Sequence, residues 1–243
     1  MKKSLVLVLI TGILSIPQTG LAQSSAVNTR NVIITEGIGE VKGQNDSARI
    51  SIGVLTEGKQ LEEVSSENAS KTKGVLNVIK GLDIENLTLK TSNYRVNPRR
   101  DYQARPPKIK GYEVSNTIEI TLEGFEPEDL STHCSTIIGK ALASGANNIN
   151  RLNFYIKNKS PLEKEALTQA TQAAIQRAET LAGAAGVKLK RIASLSTQPM
   201  QVPLTPQRFM AAEMDAKAAA GAPPIEIGES QIRFQVTVTY EIE

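Results

Sequence analysis

Between Gly111 and Gly124 the chain alternates. Tyr112, Val114, Ile118, Ile120 and Leu122 fall on one parity, and Glu113, Ser115, Thr117, Glu119, Thr121 and Glu123 on the other. Strand side chains point by turns to opposite faces, so the pattern predicts a strand with one buried and one wet surface. The chain ends in the same way: Ile232, Phe234, Val236, Val238, Tyr240 and Ile242 alternate with Gln231, Arg233, Gln235, Thr237, Thr239 and Glu241. A one-residue slip would turn either apolar set to water, which pins the register. Nothing in the sequence blunts Arg233–Glu243, so this last strand is expected to offer an edge for strand-to-strand association.

Weaker patterns fill the remainder. Residues 32–41 read as a strand, with Gly37 and Gly39 marking a bulge or twist. A third glycine at dinucleotide-loop spacing is absent, since Lys42 stands there. Gly43 to Asp46 is a turn, and Ala48, Ile50, Ile52 and Val54 form a second strand expected to pair with the first as a hairpin. Leu61 to Lys80 has helical spacing with a polar middle, and Gly81 is expected to stop it in the left-handed conformation. Strands follow at 87–96, 149–157 and 189–197. Pro127 opens a helix whose Leu130, Cys134, Ile137, Ile138 and Ala141 share a face. Ser160, Pro161 and Glu163 suggest a capping box for the longest helix. Its stripe of Ala166, Ala170, Ala173, Ala174, Ala178, Ala182 and Ala185 predicts close seating on a sheet, up to a stop at Gly186.

These elements predict an α+β fold, antiparallel sheet with helices packed on one face. A helix, a strand, an irregular excursion and a long alternating strand occur twice, suggesting two loosely repeated units at 31–124 and 125–243 within one domain, 31–243.

The first residues change the electrostatic picture. Lys2 and Lys3 precede an apolar run from Leu5 to Ile16, Pro17 breaks it, and Gly20-Leu21-Ala22 supplies small residues for cleavage. This reads as a signal peptide, 1–22, followed by a flexible polar stretch, 23–30. The run is too short for a membrane span, which needs roughly 20 residues. Without Lys2 and Lys3, the 28 basic residues fall to 26 against 25 acidic ones, a net charge of +1. Such a balance gives no reason to expect nucleic acid. One Cys in an exported chain provides no internal disulfide, so burial must hold the fold.

Candidate chemistry is sparse. His133 and Cys134 are the only residues of their types, and helix neighbours point about 100° apart, unlike a nucleophile and its base. No metal or cofactor is expected, and no catalytic residue stands out. A carboxylate-pair hydrolase remains the alternative, because 25 acidic residues always permit a pair.

Two segments read as interaction surfaces. Residues 94–110 carry Arg95, Arg99, Arg100, Arg105, Lys108 and Lys110 against Asp101 alone, with Tyr94 and Tyr102 interleaved. They are either a solvated hairpin tip or a contact for an anionic partner or a neighbouring subunit. Residues 198–224 are rich in Pro, Ala and Met; a short helix starting at Thr205-Pro206 would place Met210, Met214 and Ala218 along one side, with Phe209 a further candidate contact, and the segment is expected either to be disordered or to make a subunit contact.

Several pieces, in order, resemble the SIMPL-domain family, which includes bacterial periplasmic immunogenic proteins. They are Glu36–Val41, Asp46–Val54, Leu87–Thr91, Gly111–Asn116, Arg177–Ala182 with Gly186, and Pro224–Gly228. The family commonly has Pro where this chain has Asn45. The resemblance implies an exported α+β protein, periplasmic or surface-exposed and often a homo-oligomer, with no accepted catalytic residues and a role in envelope or oxidative-stress physiology. The resulting expectation is a non-enzymatic envelope protein acting by self-assembly and partner contacts.

Overall fold

The structure, a computed structural model, describes residues 31–200 and 224–243. In chain order the elements are β1 (Val32–Gln44), β2 (Ser47–Gly58), α1 (Leu61–Lys80), β3 (Leu87–Asp101) and β4 (Lys108–Glu123). They continue with α2 (Pro127–Ala143), β5 (Asn148–Tyr155), α3 (Ser160–Ala185), β6 (Leu189–Met200) and β7 (Glu229–Ile242). Two antiparallel sheets result, ordered β3-β4-β2-β5 and β1-β7-β6. The α+β architecture is as expected. Each sheet borrows a strand across the midpoint: β1 belongs to the sheet of β6 and β7, and β5 to that of β2–β4.

The larger core lies between the four-stranded sheet and α1 with α2. Ile50, Ile52 and Val54 of β2 meet Ile118, Ile120 and Leu122 of β4, Val75 and Ile79 of α1, and Leu130, Cys134 and Ile137 of α2, all buried. The polar middle of α1 is part of this interior. Asn68 donates its amide to the carbonyls of Val54 (2.9 Å) and Val114 (3.0 Å) and to the Thr56 hydroxyl (3.2 Å). Thr72, one turn on, faces Asn68. A hydrogen-bonded amide fills a place where the pattern of the helix alone suggests weakness.

The second core is thin. Ala170 and Ala174 of α3 pack on Val236 and Val238 of β7, with Leu167, Phe234 and Tyr240 at its margin. Alanines at 166, 170, 174, 178 and 182 are the buried ones, a single row four residues apart; Ala185 is exposed. Beneath them Gly37 and Gly39 mark no bulge, because β1 and β7 pair without a break from Val32↔Glu241 to Gln44↔Glu229. The glycines instead admit the helix backbone. Thr35 donates its hydroxyl to the Ala174 carbonyl at 2.7 Å beside them.

Four local expectations are corrected. β1 and β2 do not form a hairpin, because the chain passes from one sheet to the other at Asn45–Asp46. Buried Asn45 donates to the Gly228 carbonyl at 2.5 Å and accepts from the Ser230 hydroxyl at 2.6 Å, while the Asp46 carbonyl accepts the N–H groups of Gly124 and Phe125. These bonds fix a junction in place of a turn. The last strand is no edge: β7 lies between β1 and β6, so among the described residues the edge strands are β1, β6, β3 and β5. Gly81 is right-handed (φ −72°), and the left-handed positions fall on Asp83 and Asn86, residue types that tolerate them. No capping box forms at α3. Lys159 occupies the cap position, and the Asn158 side chain accepts the Ser160 N–H instead.

Candidate interaction surfaces

Extended pairing carries β3 and β4 well past the expected limits, making residues 94–110 largely a strand ribbon with a tip at 102–107. Two register shifts shape it. Ser92 is the extra residue on β3, and Lys110 the extra one on β4. Bulges of this kind bend a strand and increase its twist. Beyond Ser92 the β3 side of the ribbon leaves the cover of the helices, with Tyr94 55% exposed and Tyr102 at the tip 78%, while Val114 of β4 stays buried against α1.

Neighbouring residues divide between two faces. Tyr94, Val96 and Pro98 pair across to Asn116, Val114 and Tyr112, the α1 side of the sheet. Arg95 and Arg99 point the other way. Arg99 forms an ion pair with Glu57, and Asn97 donates to Glu113 at 3.2 Å. Arg95, Arg100, Arg105, Lys108 and Lys110 are exposed and have no ion pair among the described residues. At the tip the Asp101 carboxylate accepts the Gln103 N–H at 3.0 Å, a local turn that opposes the chain's tendency to fray. The structure thus brings Tyr94, Arg95, Arg99, Arg100, Tyr102 and Arg105 onto one ribbon. Phe209, Met210 and Met214 lie outside the described residues.

Two titrating centres bear on chemistry. Cys134 is wholly enclosed by the core, and burial pushes its thiol up to about 12, which removes the thiolate at neutral pH. Its neighbour His133 stacks edge-on with Phe125, ring centres 5.2 Å apart. On the face of the four-stranded sheet opposite α1 and α2, Glu123 binds Lys157 (3.2 Å) and accepts the Tyr155 hydroxyl (3.0 Å). Lys157 and Tyr155 hold this carboxyl below the usual range, and burial together with Glu123 raises the tyrosine. A general acid needs the opposite displacement of its carboxyl. Arg49 lies over the Tyr155 ring, 5.6 Å from its centre. No described helix is long and apolar enough to cross a membrane.

Comparison with known proteins gives consistent results. The chain is 29% identical to the 26 kDa periplasmic immunogenic protein of Brucella melitensis biotype 1, over 97% of this chain and 94% of that protein. It is 23% identical to the uncharacterized protein YggE of Escherichia coli K12, over 91% and 87%. Among solved structures, AtUAH in complex with (S)-hydroxyglycine matches 58% of this chain and 35% of that one at 10% identity and a TM-score of 0.24, a likeness too slight to carry any argument. The profile of SIMPL, described as a protein of unknown function (DUF541), matches residues 33–240, and the chain therefore belongs to the SIMPL family.

Proposed function

We infer that this is an exported, periplasmic or surface-associated envelope protein that acts without catalysis, through self-assembly and contact with an anionic partner. The β3–β4 ribbon carries the reading: five exposed basic side chains, without ion pairs among the described residues, stand beside Tyr94 and Tyr102 where β3 has left the cover of the helices. Like charges crowded on a narrow ribbon repel one another, and an anionic surface or an acidic patch of a second copy relieves that repulsion. The name of the Brucella relative supports the periplasmic address, and the amino-terminal apolar run supports export. Contacts of this kind suit a part in envelope or oxidative-stress physiology.

The test uses the chain from Gln23 to Glu243 and a variant with Arg95, Arg100 and Arg105 changed to Ser. Light scattering after size-exclusion chromatography reports mass, and sedimentation with phosphatidylglycerol vesicles reports anion binding. The variant is expected to lose vesicle binding, oligomer mass or both. A strict monomer at micromolar concentration that also ignores vesicles before mutation overturns the reading.

A further inference from the structure

The free edge of β1 runs beside α3. Arg177 donates to the Glu36 carbonyl at 2.6 Å, and the Glu40 N–H reaches Gln169 at 3.4 Å. Backbone groups of a strand alternate in direction, so those of Ile34 and Ile38 face the same free edge as Glu36 and Glu40. Among the described residues the edge groups of Ile34 and Ile38 have no partner, and the two residues are 60% and 48% exposed. An open groove of about 700 Å³ lies along this edge, lined by Ile34, Thr35 and Glu36 from β1 and by Gln176, Arg177 and Leu181, among others, from α3.

We propose that this groove takes an extended peptide, added as a further strand to β1, with a carboxylate of the peptide bound by Arg177. Two observations select that occupant. A strand edge with unpaired N–H and C=O groups at Ile34 and Ile38, on either side of a carbonyl held only by Arg177, recognises extended backbone. Arg177 is a cation without a carboxylate partner among the described residues, since its one bond is to a backbone oxygen. The Glu36 carboxylate, although Glu36 also borders the groove, forms no ion pair with it among the described residues. Guanidinium binds carboxylate more strongly than it binds a neutral carbonyl. An arriving carboxylate therefore draws Arg177 off the Glu36 oxygen and frees that oxygen for the new ladder. In the unliganded protein the same arginine blunts the edge.

The probe is acetyl-Ser-Thr-Val-Thr-Val with a free C-terminal carboxylate, compared with its C-terminal amide, on the chain from Gln23 to Glu243. Amide resonances of Ile34, Glu36 and Ile38 are expected to shift on titration. The acid should bind about tenfold more tightly than the amide, as a charge-assisted bond gives over a neutral one. Arg177→Gln should bring the acid down to the level of the amide, and Leu181→Asp should weaken the acid more than the amide. Equal affinities in the wild type, no binding of either peptide, or shifts confined to residues 94–110 would each overturn the proposal. So would a doubling of mass through β1 that neither peptide reverses, since the edge would then belong to a second copy.

Discussion

A Cβ placed on Gly39 would stand 1.9 Å from the carbonyl oxygen of Ala166, and one on Gly37 the same distance from that of Ala170. Both obstacles are helix backbone, which cannot rotate aside as a side chain can. The glycines and the alanine row are therefore two halves of one contact, and α3 rests on β1 nearly backbone to backbone.

Gly39→Ala is accordingly expected to lift α3 and cost about 2–3 kcal/mol, toward the upper end of overpacking. Gly183→Ala, also on α3 but with open space around the new methyl, should instead stabilise by roughly 0.5–1 kcal/mol. Urea denaturation of the pair checks this. A Gly39→Ala protein as stable as wild type would refute the close-contact account.

Asn68→Ala should destabilise by about 2–3 kcal/mol, because it leaves the carbonyls of Val54 and Val114 buried without the amide that serves them. The half-exposed neighbour Lys71 offers a control, since its i,i+4 pair with Glu67 is worth only a few tenths of a kcal/mol. Thermal melts of Asn68→Ala and Lys71→Ala should separate clearly.

The Cys134 thiol, displaced from 9.0 to about 12, should hold roughly a thousandth of the ordinary thiolate fraction at pH 8. Iodoacetamide is expected to leave it unmodified in the native protein and to label it promptly in 6 M guanidinium, as read by mass spectrometry. Rapid labelling without unfolding would contradict the enclosed core.

Glu123 has a pKa below its ordinary 4.5 in the folded state, so it adds stability above that pH and loses the contribution as pH falls through the depressed value. Glu123→Gln should be less stable than wild type at pH 7. The gap should close as acid protonates the wild-type carboxylate. Denaturant midpoints measured from pH 7 to pH 2 give the answer, and a gap that widens in acid would be the wrong sign.

Much of the fold was written in local patterns. The face of α2 from Leu130 to Ala141 is buried as its spacing foretells, and Ile118 and Val236, key teeth of the two alternating strands, are both enclosed. Partners were harder to read. Asn45 stands where turn residues belong, and its task depends on Gly228 and Ser230, far along the chain. Gly37 and Gly39 gave a correct signal of something special, but only the helix above them says what. For the basic segment, charge was plain in the sequence. Its division into two faces was not, because the bulges at Ser92 and Lys110 reset the alternation. The β1 groove needed α3 in place before Arg177 meant more than a surface cation.

One consequence follows from Thr35 lying opposite Val238. The earliest strand of the sheet has the latest as its neighbour, so chain synthesis delivers β1 long before anything can pair with it. Closing a loop of that length is slow, and the exposed ribbon is adhesive while it waits. Losing the final dozen residues would strip β1 and β6 of their shared centre and leave the alanine row with little to rest on, so a truncated product should be cleared by proteases rather than persist as a smaller version of the protein.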